Sequence, residues 1–353
     1  MRRLDRYIVA TVSASMLLVL AVVLSLDFLF ALIAEMEELK NDYQVFEALK
    51  FVVTTLPRRI YDYLPLAAFM GCLIGLGGLA KSSELVVIRA AGVSSARIVW
   101  SAMKPAIALV LMGVLLGEYV APYAEKVAQS QRAVAQGAQS FAVAQRGVWH
   151  REGDVFMHFN AVEPNGVLHG VSLYTFDNTG SLEVTRFSRR AIYQRGEWVM
   201  SDVLQSRFTE GGVKSHNEPF YVWRTDLTPE VLSVLIVKPE NLSVTGLLSY
   251  ASYLKEQGLS AAEYMLAFWK KTLQPVATMA LVLVAISFVF GPLRSVTMGF
   301  RIFCGVVVGL LFKYVQDLLG PSSIVFGFDP VLASLLPILA CLLLGAMLLR
   351  RAG

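Results

Sequence analysis

The chain is short of charge. Only 16% of its residues are Asp, Glu, Lys or Arg, against 56% hydrophobic, and mean hydropathy is +0.57. A water-soluble protein of 353 residues is not built this way, so composition first excludes that class and points to the membrane. The three cysteines, Cys72, Cys304 and Cys341, all sit in apolar runs. That excludes a disulfide framework and a thiolate metal set, and leaves small packing residues. The histidines, His150, His158, His169 and His216, lack HExxH or other tight metal spacing, so strand or surface positions are expected of them. No Gly-x-x-x-x-Gly-Lys-Ser/Thr loop cradles a nucleotide, and no nucleophile elbow occurs. No Lys/Arg-rich run offers a nucleic-acid surface, and net charge is a mild +4. No catalytic centre, resident cofactor or metal, and no nucleic-acid partner, is expected of this chain.

What is present is a set of long apolar runs. About 20 such residues cross a hydrocarbon core of roughly 30 Å as a helix. Six runs qualify: Ile8–Ala34, Tyr61–Ala80, Ile98–Leu116, Thr272–Phe290, Ile302–Leu319 and Val331–Leu349. The first exceeds a signal-peptide core and ends in no small-residue cleavage site, so it reads as a retained span. Arg2, Arg3, Arg6, Lys81, Arg89, Arg97, Arg294, Arg301, Arg350 and Arg351 fall in loops on one side, with Asp5 and Glu84 as their acids. The first loop on the other side holds Glu35, Glu37, Glu38, Asp42 and Glu47. Basic loops stay cytoplasmic, so both termini are expected inside and the long polar stretch Tyr119–Trp269 outside. The acids near Glu35 read as an unshielded acidic loop.

That polar stretch reads mainly as strands. Val155–Phe159, Val171–Phe176, Phe187–Tyr193, Trp198–Phe208 and Phe220–Thr225 are rich in β-formers and separated by turn residues, which predicts a sandwich or open barrel. Tyr119–Gln139 before it and Leu227–Gly258 after it read as helical connectors. The expected fold is thus an α-helical polytopic membrane protein, six spans in a 3+3 arrangement with a β-rich domain between the third and fourth. Boundaries fall at 1–135, 136–245 and 246–353.

Few side chains stand out. Ser83–Gly92, SELVVIRAAG, lies on a tight connector between spans two and three, with helix expected at about 82–93. Leu85, Val86, Ile88 and Ala91 give an apolar stripe beside Glu84 and Arg89. Such a helix can dock in a groove of a partner ATPase, Glu84 meeting an arginine, or it can simply lie at the interface with solvated charges. Lys40, Arg58, Arg59 and Arg132 stand near the outer surface, where arginine suits lipid phosphates and also serves as an ordinary anchor. Asp27 falls about 28 Å beyond Ile8, at the far face of the core. Lys313 falls about 18 Å past Arg301, deep enough to matter functionally, although an i,i+4 pair with Asp317 also accounts for it. Gly71–Gly75 and Gly305–Gly309 are GxxxG spacings that permit close helix approach.

Four longer stretches carry a resemblance: Ser83–Gly92, EYVAPYAEKVAQSQR at Glu118–Arg132, WRTDLTPEVLSVL at Trp223–Leu235, and SFVFGPLRSVTMGFR at Ser287–Arg301. With LDRYI at Leu4–Ile8, they make the whole chain resemble the LptF/LptG family of lipopolysaccharide export permeases, Ser287–Arg301 tipping the match toward its LptG branch. The resemblance implies an inner-membrane subunit of an ABC transporter in a Gram-negative bacterium, with a periplasmic β-jellyroll-like domain between spans three and four. It implies an LptF-like partner, a dimeric LptB-type ATPase that uses ATP and Mg, and LptC-like and LptA-like bridge proteins. It makes Ser83–Gly92 the coupling helix through Glu84, Leu85, Ile88 and Arg89, and places Arg58 and Arg132 near lipid phosphates. Family members can carry lysines near the outer end of span one. Here Ala31–Lys40 reads ALIAEMEELK, with Lys40 its single basic residue. A membrane-anchored scaffold whose β-domain binds partners is the rival expectation.

Overall fold

A computed structural model describes residues 2–39, 42–136, 148–163, 166–177, 179–209, 211–225, 227–229, 232, 238–256, 260–291 and 296–352. Helices are α1 (Arg2–Met36), α2 (Val45–Thr54), α3 (Leu56–Lys81), α4 (Glu84–Ala90), α5 (Ser95–Leu115), α6 (Ala121–Ala135), α7 (Val244–Glu256), α8 (Ala262–Phe290), α9 (Met298–Phe326) and α10 (Pro330–Ala352). A π-helical turn, Leu116–Val120, joins α5 to α6. Among the described residues, six helices are long and apolar enough to cross a membrane: α1, α3, α5 with α6, α8, α9 and α10. In lipid a spanning segment must satisfy its backbone internally, which is why these runs are helical despite Pro65, Pro105, Pro275, Pro321 and Pro337.

The chain divides into two compact units. The first comprises Met1–Leu29, Pro57–Ala121 and Ser243–Gly353. Its core packs Ile8, Val12 and Met16 of α1 against Ala68, Phe69, Cys72 and Leu76 of α3, with Val282, Ile286 and Val289 of α8. Both glycine pairs are used within this unit. A Cβ on Gly71 would collide with the Met16 backbone, and one on Gly75 would come within 3.0 Å of Val12 Cα, so these residues let α1 and α3 approach closely. Gly305 of α9 receives Met70 and Leu73 of α3.

The second unit comprises Phe30–Leu56 and Pro122–Leu242. Its strands are β1 (Val148–Glu152), β2 (Val155–Phe159), β3 (Ala161–Glu163), β4 (Val167–Phe176), β5 (Leu182–Gln194), β6 (Glu197–Thr209) and β7 (Gly212–Trp223). They form one antiparallel sheet in the order β1-β2-β4-β5-β6-β7, with β3 on β4. The second sheet of a sandwich is not found among the described strands. The β5–β6 hairpin turns on Arg195 and Gly196, both at positive φ, between the paired Gln194 and Glu197. That two-residue loop suits the right-handed twist of the strands. Met157, Phe159, Leu168, Leu173, Trp198, Met200 and Trp223 are buried, and Trp198 Nε1 donates to the Leu227 carbonyl at 2.8 Å.

Candidate functional site

In the first unit the four ATPase-coupling candidates sit on α4, a helix of seven residues. Ser83, at φ 62°, and Gly92, at φ 85°, turn the chain into and out of it. Leu85 and Ile88 are each 5% exposed and belong to the unit's own core. They anchor the helix from below, so of the apolar stripe from Leu85 to Ala91 these two face the chain's own core. The reason is geometric: three residues apart on a helix share a face, and that face is buried. The exposed apolar side chains are Val86 and Val87, the latter 66% exposed, with Arg89 exposed beside them. Glu84 is half-buried; it accepts a hydrogen bond from Ser82 Oγ at 2.7 Å and has Tyr7 of α1 as an electrostatic neighbour.

Two further contacts link helix ends in this unit, and neither was expected from the sequence. Arg97, at the start of α5, grips Asp5 of α1 with Nη2 at 2.8 Å and Nε at 3.1 Å. Two parallel N–H bonds to one carboxylate fix orientation as well as distance. Arg301, on the first turn of α9, is 1% exposed, and its Nη1 donates to the Gly77 carbonyl near the end of α3. A buried cation is well placed beside the carbonyl end of a helix.

The basic candidates are spread across both units. In the first, Arg59 meets Asp27 of α1 at 2.5 Å, and the Tyr63 hydroxyl donates to the same carboxylate at 2.7 Å. Asp27 is therefore a paired acid rather than a solvated one. Arg58 lies 3.4 Å from Asp62, one turn along α3. In the second unit, Arg132 of α6 lies 3.2 Å from Glu35 and 5.0 Å over the Phe51 ring of α2. The Tyr43 hydroxyl donates to Glu35 at 2.7 Å. Glu35 is buried, because α1 runs on to Met36, which corrects the picture of an unshielded acidic loop at that position. Lys40 lies outside the described residues.

On α9, Lys313 and Asp317 are both exposed. Asp317 lies 3.5 Å from Lys270 of α8, and Lys313 forms no ion pair among the described residues. The i,i+4 pairing is replaced by an interhelical one. His158 and His169 are buried in strands, and His216 meets Glu218 at 2.8 Å on exposed β7.

These features define a polytopic membrane protein whose short connector helix is held against its spans and whose inserted domain is a β-sheet. The family described as "Lipopolysaccharide export system permease LptF/LptG" matches residues 6–351, and the chain belongs to it. The chain is 34% identical over 352 residues to lipopolysaccharide export system permease protein LptG of Escherichia coli (strain K12), covering 99% of this chain and 98% of that protein. It is likewise 34% identical over 351 residues to the LptG of Haemophilus influenzae, with the same coverage of each. Its function is that of a lipopolysaccharide export permease, a transporter subunit and not a catalytic enzyme. The scaffold alternative is not favoured.

Proposed function

We propose that this chain is the LptG-like half of a two-permease core in the inner membrane of a Gram-negative bacterium. The core withdraws lipopolysaccharide from the periplasmic leaflet, with an LptF-like chain as the other half. The observation that carries this is the bareness of α1 and α9. Leu17, Leu18, Val22 and Leu26 on the first, and Phe303, Leu310, Leu311 and Leu318 on the second, are exposed, and both helices bury only a small share of their apolar stretches within the chain. Such ridges fit a cavity wall that meets acyl chains on one side and a partner permease on the other. Exposing an acyl chain to water costs about 0.8 kcal/mol per CH₂, so extraction needs an external energy source. In this reading a dimeric LptB-type ATPase supplies it, consuming ATP and Mg²⁺ that this chain does not hold.

Force enters through α4. Glu84, Val86, Val87 and Arg89 meet the ATPase, while Leu85 and Ile88 transmit the push. The burial of Leu85 and Ile88 supports this route, because it seats the coupling segment in the same core as Ile8 near the base of α1. Both termini are cytoplasmic, and the spans are arranged 3+3 around a periplasmic domain at 136–245. That domain acts as a jellyroll-like conduit toward LptC-like and LptA-like bridge proteins. Arg58 serves lipid phosphates most directly. Arg59 and Arg132 would each exchange its carboxylate partner, Asp27 or Glu35, for phosphate, with Lys40 as a further phosphate contact.

The test is Glu84→Ala in the assembled complex, following lipopolysaccharide release and ATPase copurification. Loss of one charge-assisted bond should reduce both by about tenfold. Normal release with full coupling would remove the role assigned to α4.

A further inference from the structure

A cavity of the first unit lies between α3, α5 and α8, away from the bare ridges of α1 and α9. It encloses about 500 Å³, within the range of small-ligand sites. Its composition is graded along all three helices. At one end stand Tyr61 of α3, Glu118 of the π-helical turn and Lys271 of α8, where the apolar runs of these helices begin or stop. From there the walls become apolar: Leu64 on α3, Leu109, Val110 and Val114 on α5, and Pro275 on α8. Lys271 to Thr278 covers about 10 Å of helix, and Glu118 to Leu109 about 13 Å. The cavity is thus a slot with a polar mouth at interface depth and an apolar throat directed into the bilayer.

The mouth is held open by specific contacts. Glu118 accepts from Val244 N at 2.8 Å, from Thr245 N at 3.2 Å and from Thr245 Oγ1 at 2.8 Å, so its carboxylate caps the start of α7. The π-helical turn inserts a local change of register where Glu118 must face α7. Gln274 Nε2 donates to the Tyr61 carbonyl at 3.4 Å, joining α8 to α3. Gly113 and Gly117 leave room for the residues opposite: a Cβ there would come within 2.7 Å of Leu64 and 2.5 Å of Tyr61. The Lys271 ammonium stands 5.2 Å from the Tyr61 ring, with Glu118 and Asp62 as its electrostatic neighbours. Val114 and Val276 are exposed on the flank, so the throat is reached sideways from the bilayer.

We propose that this slot holds one resident glycerophospholipid, its phosphate at Lys271 and one acyl chain in the throat. The mouth sets one cation, Lys271, beside the Glu118 carboxylate over an apolar channel, which suits a zwitterionic single-phosphate lipid in charge and in shape. A volume of about 500 Å³ suits one acyl chain and not the several of a lipid A, so the occupant is a structural lipid and not the exported cargo. Bound there, it would fix the spacing of α3, α5 and α8.

The test uses the assembled permease–ATPase complex, taken from nanodiscs of phosphatidylglycerol and phosphatidylethanolamine into a delipidating detergent and read by native mass spectrometry. Wild-type complex should retain a phospholipid that Lys271→Met and the throat-filling Val114→Trp each reduce about tenfold, while Lys271→Arg keeps it. Size-exclusion profiles and thermal stability establish that each variant is folded, and Lys271→Met decides the matter alone if Val114→Trp does not assemble. Equal retention by wild type and Lys271→Met overturns the proposal. So does lipopolysaccharide in place of phospholipid, or a Val114→Cys variant that crosslinks to a partner subunit's helix.

Discussion

His158 carries its imidazole in the sheet interior, with its ring centroid 4.7 Å from that of Trp149 and no hydrogen bond to Nε2. Burial pushes its pKa below the ordinary 6.5, and burial shifts His150 the same way. Folded, both rings stay neutral; unfolded, they take up protons as pH falls below about 6.5. The unfolded state then binds more protons, so their contribution to stability is complete above that pH and is lost as pH drops toward the depressed folded values. Asp177 acts in a more acid window. Bonds from Thr179 and Ser181 hold its carboxyl below the usual range, so its contribution disappears only as pH falls through that lowered value. The expected outcome is a midpoint for the β-sheet unit, followed by tryptophan fluorescence, that declines as pH falls below about 6.5. His158→Phe should flatten part of that slope. An identical slope in the variant would show that the buried ring does not set it. At this scale the sequence identifies residue types but not their partners. Asp27 with Arg59 and Asp5 with Arg97 are 32 and 92 residues apart, separations that no local spacing rule addresses.

Helices and strands were more legible than contacts. Strands at Val155–Phe159 and within β4 to β7 announce themselves by β-branched and aromatic content, while β1, whose His150, Arg151 and Glu152 dilute that signal, and β3, with only three residues, do not. The amphipathic stripe of α4 was legible, but its direction was not, because an apolar face is equally suited to a groove on a partner and to the chain's own core. The same holds for the glycine pairs, whose spacing permits an approach without naming the neighbour. That neighbour is now specific, and it yields a paired prediction. Gly71→Ala drives a methyl into the Met16 backbone and should destabilise the first unit by about 1–3 kcal/mol, as overpacking does. Gly78, seven residues further along α3, has nothing within 4 Å of a built Cβ, so Gly78→Ala should be neutral or stabilising through helix propensity alone. Thermal denaturation of the two variants in one detergent compares them directly. Equal midpoints would mean that α1 and α3 are not seated by that glycine.

For the whole molecule, span count follows from the length of apolar runs, since a continuous run of about 20 apolar residues satisfies its backbone in hydrocarbon as a helix. Helix ends were less legible: α1 continues past the apolar run to Met36, where Glu35 is buried by Tyr43 and Arg132, and α5 continues through its π-helical turn into α6. Single-sheet topology in the second unit was not legible either, because strand spacing alone fits a sandwich, a barrel and a meander. Orientation rests on the distribution of Lys and Arg, a thermodynamic bias of insertion that leaves no mark on the folded chain itself. It therefore needs its own measurement. With Cys72, Cys304 and Cys341 replaced by serine or alanine, Val87→Cys on exposed α4 and Lys214→Cys on exposed β7 give reporters for the two faces. A membrane-impermeant maleimide should label Lys214→Cys in right-side-out vesicles and Val87→Cys only in inverted ones. Labelling of Val87→Cys from outside would put the connector helix in the periplasm, beyond reach of any cytoplasmic ATPase, and a permease driven through α4 would then be physically impossible.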